Sequence, residues 1–347
     1  MCAPTGRAAK RMTEATGFRS STIHRLLEYT RSGSFQRDEH NPLEGDLFVV
    51  DEVSMVDTVL MYSFLKAIPI HATLVLVGDV HQLPSVGPGN VLKDIIESRI
   101  VPTVCLTHIF RQAKESSIIV NAHRINEGQM PGLEGPGSER DFWFIEQTEP
   151  EAIRETIIKL MTETFKNRSP MENCQVLTPM HKGPLGTEAL NDLLQEKLNA
   201  NEIGVVRGFR KYKMGDKVMQ IKNNYDKDMF NGDIGFITKI DTEDQEVNVK
   251  FEDKVVDYEL DELDELMLAY CTTIHKAQGS EYPAVIVPVV TQHYIMLARN
   301  LLYTGVTRGE KLVVLIGSKK AVGIAVKNNR VLQRYTGLRD RLAGNTK

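Results

Sequence analysis

Two apolar runs, each followed by an acidic residue, constrain the fold of this chain more than any other feature. Residues 47–50 are apolar and lead directly into Asp51 and Glu52, and residues 74–77 lead into a Gly-Asp pair. Uninterrupted runs of Val and Leu are typical of strands buried in a parallel sheet, and ligand-binding side chains gather at the carboxyl ends of such strands. The pattern predicts an open α/β sheet with Asp51 and Glu52 at its ligand-binding edge.

Adjacent carboxylates at such an edge suit phosphoryl transfer. One carboxylate, here Asp51, can hold the water shell of Mg²⁺ while its neighbour Glu52 orients the attacking water. Gln82 lies four residues beyond Gly78. Its side-chain amide can both donate and accept hydrogen bonds, so it can sense a γ-phosphate or the attacking water.

The chain contains no Gly-Lys dipeptide. A P-loop NTPase needs G-x-x-x-x-G-K-[ST], whose amides and lysine hold the phosphates. We therefore expect the chain to be the downstream part of a larger ATPase, with a missing N-terminal segment, and to be unable to turn over ATP alone. In this fold class the phosphate-loop strand lies beside the strand at 73–77, so we also expect an unpaired apolar edge there.

Composition indicates an ordinary soluble protein. The chain has 347 residues, of which 41% are hydrophobic and 25% charged, and its formal net charge is −4. The four cysteines form no C-x-x-C pair, which indicates neither a zinc cluster nor a disulfide framework. No apolar stretch approaches the roughly 18–20 residues that a membrane span needs, so we expect a cytoplasmic protein without membrane contact.

Charge is unevenly distributed. Between positions 207 and 227 the chain has seven Lys and Arg residues and two Asp residues. Phe209, Tyr212 and Tyr225 are interleaved among them. Aromatic residues among bases are typical of single-stranded nucleic-acid binding. Between 241 and 265 the balance reverses to acidic. The alternative is that these segments are two solvated faces of one small domain.

The order of patterns predicts three domains. The first, residues 1–115, is α/β, with a helix at 55–67 and strands at 47–50, 73–77 and 101–106. Its segment 29–45 is polar and turn-rich, which fits either a projecting excursion or an ordinary surface loop. A second α/β domain covers 116–201 and 267–347, with a helix at 187–199 and strands at 174–178, 284–290 and 312–316.

Residues 202–266 interrupt the second α/β domain with a β-rich pattern. Short strands are predicted at 217–221, 234–240, 246–251 and 255–260. The interruption therefore predicts a small β-barrel inserted in an α/β domain.

Six segments in this order resemble the motifs of the superfamily 1 DNA helicases, and within them the RecD type. They are APTGRAAKRM for motif Ia, DEVSM for II, LVGDVHQLPSVGPG for III, LTHIFRQ for IV, TTIHKAQGSEYPAVIV for V and LLYTGVTRGEKLVVLIG for VI. The resemblance implies two RecA-like P-loop NTPase-type domains, the first truncated at its N-terminus, and an SH3-like barrel inserted in the second. It also implies a strand-separating pin at about 29–45.

The resemblance further implies ATP and Mg²⁺ as cofactors, and it assigns residues to them. Asp51, Glu52 and Gln82 act with Arg111 and Arg308, whose planar guanidinium groups can bridge the equatorial oxygens of the transferred phosphoryl group. One arginine comes from each α/β half. The motif V positions near the nucleotide ribose are Gly279 and Glu281.

The resemblance also implies that the protein moves along single-stranded DNA. Pro4, Thr5 and Gly6 precede a helix whose N-terminal amides can hold a backbone phosphate. Further candidates for DNA contact are Thr22, His24, Thr273, His275 and Lys276. If the inserted domain grips the strand, its contact residues are Phe209, Lys211, Tyr212 and Tyr225. The alternative is that the aromatic residues pack in the core of the domain.

The main hypothesis is therefore an ATP-driven 5′–3′ DNA helicase that acts on single strands and single/double-strand junctions in repair or recombination, alone or with complex subunits. The alternative is a non-catalytic single-stranded nucleic-acid-binding protein that keeps the helicase architecture. A nuclease using Asp51, Glu52 and Asp79 is disfavoured because too few carboxylates converge.

Overall fold

The computed structural model describes residues 1–30, 33–106, 115–136, 140–165, 169–224, 226–252, 254–329 and 334–344. The chain divides into two compact units: unit 1 comprises Met1–Ile109 with Arg330–Lys347, and unit 2 comprises Phe110–Asn329. No helix in the described ranges is long and apolar enough to cross a membrane.

Unit 1 is built on a four-stranded parallel sheet in the order β2-β1-β3-β4. Its strands are β1 (Cys2–Ala3), β2 (Ser21–Thr22), β3 (Leu47–Val50) and β4 (Thr73–Leu76). The helices among them are α1 (Gly6–Thr16), α2 (Ile23–Leu26), α3 (Thr58–Ala67) and α4 (Val91–Ser98). The first apolar run thus forms a central strand, as predicted, because buried Phe48 and Val50 pack into the core.

Strand β4 lies at an edge of this sheet. In the described part of the chain it pairs only with β3. Val75 and Val77 remain 41% and 45% exposed. The predicted unpaired apolar edge is confirmed.

The predicted strand at 101–106 is wrong. Helix α4 ends at Arg99, which adopts a left-handed conformation with φ of 58°. The following residues 101–106 are exposed and form no strand. Pro102 lacks an amide donor, which disfavours a place in a ladder.

The segment 29–45 begins with a small excursion. Tyr29 and Phe35 form an isolated antiparallel bridge. The amide of Thr30 donates to the carbonyl of Ser34 (2.9 Å), and Gly33 has a φ of +85° in the turn. Its role as a pin stays a prediction.

The C-terminal segment lies in unit 1, although it was predicted within the second α/β domain. The Thr336 hydroxyl donates to Asp94 Oδ2 on α4 (2.7 Å). Leu338, at the start of a C-terminal helix Leu338–Leu342, packs against the core of unit 1. These contacts hold the segment to α4.

Unit 2 combines a parallel sheet with an inserted antiparallel one. Its strands are β5 (Phe142–Glu146), β6 (Cys174–Thr178), β7 (Gly204–Arg207), β8 (Arg210–Lys213), β9 (Lys217–Gln220), β10 (Ile234–Asp241), β11 (Glu246–Phe251), β12 (Val255–Glu259), β13 (Leu266–Leu268), β14 (Cys271–Thr273), β15 (Tyr282–Val289) and β16 (Gly309–Gly317). Its helices are α5 (Ser117–Asn126), α6 (Pro150–Lys159), α7 (Pro170–Asn173), α8 (Thr187–Leu198), α9 (Arg299–Val306) and α10 (Lys319–Lys327).

The parallel sheet has the order β14-β6-β15-β16-β5. The inserted sheet has the order β12-β11-β10-β9-β13, with β7 and β8 forming a separate hairpin. All four strands predicted in the insertion are present. Strands β12 and β13 are the sheet's edges in the described residues, so closure into a barrel stays a prediction.

A buried carboxylate anchors the inserted sheet. Asp216 is fully buried and accepts four hydrogen bonds, from Gln195 Nε2 (2.5 Å), the Lys213 amide (2.6 Å), Asn199 Nδ2 (2.7 Å) and the Tyr270 hydroxyl (2.8 Å). The donors come from α8 and its C-cap Asn199, from β8 and from the residue before β14. Because buried charges persist only when hydrogen-bonded, this network fixes the insertion to the α/β sheet.

Candidate functional site

The acid pair occupies the carboxyl end of β3. The Asp51 amide donates to the Cys2 carbonyl (3.0 Å), and Asp51 Oδ1 accepts from the Glu52 amide (2.8 Å). Glu52 adopts a left-handed conformation, with φ of 53°. The next amide, of Val53, donates to the Val77 carbonyl (3.0 Å). An unusual backbone conformation held between two strand ends is typical of functional sites.

Two polar atoms near this strand end are buried without partners. Among the described residues, Ser54 Oγ and Gln82 Oε1 have no hydrogen-bond partner. A Cβ at Gly78 would lie 3.1 Å from the Val53 nitrogen and 3.2 Å from the Ser54 nitrogen, so glycine allows the loop after β4 to approach them. Buried orphan acceptors are rare, and a bound water or ligand would satisfy them.

The residues present fit Mg²⁺ as a partly hydrated ion. Across the described ranges no group of three or more His, Cys, Asp or Glu side chains could hold a metal. Mg²⁺ commonly binds through one or two carboxylates, with water and substrate phosphates completing its shell. Asp51 suits that partial role, and a cage made only of protein ligands is not formed.

Of the two predicted arginines, Arg111 lies outside the described residues. Arg308 is buried. Its Nε donates to the Thr304 carbonyl (3.2 Å), its Nη1 to the Ser280 carbonyl (2.9 Å) and its Nη2 to Thr307 Oγ1 (3.2 Å). These bonds orient the guanidinium. They also fix it to the loop that carries Gly279 and Glu281, the residues predicted to lie near the ribose.

That loop turns sharply before β15. Gly279 has a φ of +70°, and Glu281 is exposed directly before the strand. The Ser280 carbonyl between them accepts from Arg308. Unit 2 therefore brings Gly279, Glu281 and Arg308 to one corner of its sheet.

In unit 1, the predicted DNA residues lie at helix starts. Pro4 and Thr5 precede α1, and Thr5 Oγ1 accepts from the Ala8 amide (3.3 Å) as its N-cap. Gly6 is the first residue of α1. Thr22 Oγ1 caps α2 in the same way, accepting from the Arg25 amide (3.1 Å). A capped N-terminus presents free amides to an anion.

His24 packs at the base of the 29–45 excursion. Its ring lies 5.4 Å from that of Tyr29 and 5.7 Å from that of Phe35. Burial lowers the pKa of His24, and Asp57 opposes the shift in part. A neutral imidazole in this aromatic cluster is positioned by packing.

In unit 2, His275 and Lys276 of the motif V segment lie close to two other basic side chains. Thr273 Oγ1 accepts from the Lys276 amide (3.2 Å). Burial, and then the charge of His181, lowers the pKa of His275. Burial, and then the charge of Arg210, lowers the pKa of Lys276. A bound anion would oppose both shifts.

Sequence reasoning did not assign His181 or Arg210 to this cluster. His181 follows β6, which pairs with β14, the strand that leads into motif V. Its position just beyond a predicted strand end was the available signal. Arg210 begins β8, and only the folding of the inserted hairpin brings it close.

In the inserted domain, Phe209 and Lys211 are exposed on the β7–β8 hairpin, and Phe209 lies in its turn. Tyr212 is fully buried, and its hydroxyl donates to the Leu266 carbonyl (2.8 Å). The prediction that Tyr212 stacks on a base is wrong, because strand alternation turns it inward while Lys211 faces outward. Tyr225 lies outside the described residues.

The basic stretch is partly neutralised within its own domain. Arg207 pairs with Asp264 (3.2 Å) and Lys227 with Glu262 (2.5 Å). Lys217 is buried and donates to a backbone carbonyl. The positive charge available to a ligand is therefore smaller than the sequence indicates.

Comparison with known sequence families gives three matches. Residues 1–88 match an AAA domain, residues 190–251 the SH3 domain of ATP-dependent RecD-like DNA helicases, and residues 268–316 a UvrD-like helicase C-terminal domain. Among solved structures, Candida albicans Pif1 helicase has a TM-score of 0.53 at 18% identity, covering 93% of this chain and 85% of its own. A Bacteroides Pif1 helicase has a TM-score of 0.51 at 19% identity, with 90% and 81% covered.

The fold, with its two α/β units, is thus similar to that of the Pif1 helicases. Among curated proteins, the ATP-dependent RecD2 DNA helicase of Deinococcus radiodurans is 39% identical over 99% of this chain and 46% of its own length. The RecBCD enzyme subunit RecD of Mycolicibacterium smegmatis is 29% identical over 99% of this chain and 65% of its own length. The chain belongs to the RecD-like family of superfamily 1 helicases, and it spans about half to two thirds of the length of these relatives.

Proposed function

We propose that the chain is part of an ATP-dependent DNA helicase. In this proposal ATP hydrolysis drives 5′–3′ translocation on single-stranded DNA and separates duplex at single/double-strand junctions, in repair or recombination. The observation that carries the proposal is the strand-end arrangement of Asp51, Glu52 and Gln82, in a chain 39% identical to a protein named an ATP-dependent RecD2 DNA helicase.

The domain assignment is part of the proposal. Residues 1–115 form the first RecA-like domain, with a pin at about 29–45. Residues 116–201 with 267 onward form the second, and 202–266 form the SH3-like insertion. The C-terminal segment is an exception, because residues 330–347 group with unit 1.

Asp51 would hold Mg²⁺ through its water shell, and Glu52 would orient the attacking water. The ion would neutralise charge on the transferred phosphates. Gln82, whose Oε1 is buried without a partner in the described residues, would contact that water or the γ-phosphate. Arg308 and Arg111 would stabilise charge on the transferred group, and Gly279 and Glu281 would line the ribose.

For the DNA track, the Thr5 and Gly6 amides, set by Pro4 before α1, and the basic cluster of His275 and Lys276 would hold backbone phosphates, with Thr22, His24 and Thr273 alongside. Phe209 would stack on a base, with Lys211 on a neighbouring phosphate. The Bacteroides Pif1 neighbour was solved with ADP-AlF3 and ssDNA, so a related fold holds both ligands in that protein.

The test is DNA-stimulated ATP hydrolysis by the full-length protein, compared with its Glu52→Gln variant. We expect oligothymidine to stimulate hydrolysis, and the variant to lose about 100-fold or more in kcat while still binding DNA. Hydrolysis that ignores DNA, or that survives in Glu52→Gln, would refute the proposal.

A second measurement is calorimetry of a non-hydrolysable ATP analogue with Mg²⁺ on this 347-residue chain. We expect weak or undetectable nucleotide binding beside retained oligothymidine binding, because the chain has no Gly-Lys phosphate loop. Micromolar nucleotide binding that Asp51→Ala does not weaken would show a phosphate site elsewhere in the chain.

A further inference from the structure

The loop that joins Gln82 to α4 has few backbone hydrogen-bond donors of its own. Its sequence, LPSVGPGN at 83–90, contains two prolines, which carry no amide hydrogen. Leu83 and Ser85 are buried. Carbonyl groups in such a partly buried loop need hydrogen-bond donors from another segment.

Arg334 supplies those donors. Its Nη1 donates to Ser85 Oγ (3.1 Å), to the Gly87 carbonyl (2.6 Å) and to the Gly89 carbonyl (2.6 Å). Its Nη2 donates to the Ser85 carbonyl (2.5 Å). One guanidinium therefore holds four oxygens across five residues of the loop. Hydrogen bonds from a charged donor are stronger than neutral ones.

The opposite side of the loop rests on the start of α3. The Thr58 amide donates to the Pro88 carbonyl (3.0 Å). A Cβ at Gly87 would clash with the Asp57 side chain, and one at Gly89 with the Thr58 side chain. The loop thus lies between a helix N-terminus and the Arg334 guanidinium.

Arg334 is itself held in place. Two residues later, the Thr336 hydroxyl donates to Asp94 Oδ2 (2.7 Å), and Asp94 is a buried residue of α4. Leu338 then packs against the core of unit 1. The segment 334–344 is therefore docked on α4 independently of the guanidinium contacts.

We propose that Arg334 is a positioning residue for Gln82. Gln82 Oε1 is buried without a hydrogen-bond partner in the described residues, so the side chain depends on its loop for its position. Arg334 and the start of α3 fix the path of that loop. The inference rests on the proposed function, because it assigns Arg334 a part in placing the γ-phosphate-sensing amide.

The first test is amide hydrogen exchange of this chain. In Arg334→Ala we expect exchange in peptides covering 82–92 to rise about tenfold or more, the factor that loss of a charge-assisted hydrogen bond corresponds to. Arg334→Lys should restore part of the protection. The matched control is Arg339→Ala, because Arg339 lies on the same segment but its side chain forms exposed ion pairs, with Glu97 (3.8 Å) and Asp340 (3.2 Å).

Protection of 82–92 that is unchanged in Arg334→Ala would overturn the proposal. So would an equal rise throughout unit 1, including β3, because that pattern reports general destabilisation. A local rise that Arg339→Ala does not reproduce would support it.

The second test separates this proposal from the proposed function. In the full-length protein we expect Arg334→Ala to lower kcat for DNA-stimulated ATP hydrolysis about tenfold while KM for ATP changes less than about twofold, with partial rescue by Arg334→Lys. A rise in KM at constant kcat would refute positioning of Gln82. If the unmodified protein does not hydrolyse ATP, the proposed function fails, and the exchange measurement alone decides whether Arg334 orders the loop.

Discussion

His293 is expected to make unit 2 sensitive to acid. It lies in a short 3-10 segment, Thr291–Met296, and is only 5% exposed. Its Nδ1 is buried without a hydrogen-bond partner in the described residues. The ring borders a small cavity of about 20 Å³ whose other lining residues are all apolar, among them Leu297 and Leu302. Replacing His293 with leucine should remove the part of this sensitivity that His293 contributes.

Burial lowers the pKa of His293 from 6.5 to about 4. Above pH 6.5 the ring is neutral in the folded and unfolded states. Between pH 6.5 and 4 mainly the unfolded state takes up the proton, so the free energy of unfolding falls as pH falls. At about 1.4 kcal/mol per pH unit the full loss is about 3 kcal/mol, and the part between pH 7 and pH 5 is about 2 kcal/mol.

The assay is urea unfolding followed by tryptophan fluorescence. Trp143, the single tryptophan, lies on β5 and therefore reports on unit 2. His293→Leu should reduce the difference in unfolding free energy between pH 7 and pH 5 by about 2 kcal/mol. The pKa of His275 is also lowered by burial. Its contribution has the same sign and stays in both proteins, so the comparison isolates His293.

The matched control is His123→Gln, since His123 is an exposed histidine on α5 of the same unit. It should leave the pH dependence unchanged. Equal pH dependence in His293→Leu and the unmodified chain would refute the reasoning.

Three other substitutions test the buried network, the hairpin and a helix cap. Asp216→Ala should cost about 3–5 kcal/mol of unfolding free energy in the same fluorescence assay, because it removes four hydrogen bonds, while exposed Asp244→Ala should cost little. Phe209→Ala should weaken oligothymidine binding by about 1–3 kcal/mol in fluorescence anisotropy, whereas Tyr212→Phe should leave that affinity unchanged. Thr5→Ala should lower the thermal stability of unit 1 by about 1 kcal/mol through loss of the α1 cap, measured by circular dichroism.

Sequence patterns were sufficient for elements whose own residues determine them. The strand Cys174–Thr178 and the strand Glu246–Phe251 have the predicted bounds. The first is buried along its whole length around Val176 and Leu177, and the second alternates polar and apolar residues, so each pattern is typical of a strand. The prediction of a strand at 101–106 was wrong because a strand also needs a neighbouring strand to pair with. An apolar pattern does not show whether such a strand is present.

The positions of candidate site residues at strand ends were predictable. Asp51 follows an apolar run directly, and its place needs no knowledge of distant residues. Tyr212 was assigned wrongly because composition cannot tell which face of a two-faced strand is buried. His181 and Arg210 were missed because their closeness to motif V depends on strand pairing and on the inserted hairpin.

The contacts of Arg334 also fix the order in which unit 1 can be completed during synthesis. Arg334 is separated by 249 residues from Ser85, its partner in the loop. A ribosome makes the loop early, then all of unit 2, and only afterwards the guanidinium that satisfies the loop's carbonyls. Of the two units, the one that begins to emerge first is therefore finished last, and a chain released before residue 334 would carry Asp51 and Glu52 beside an incompletely held loop.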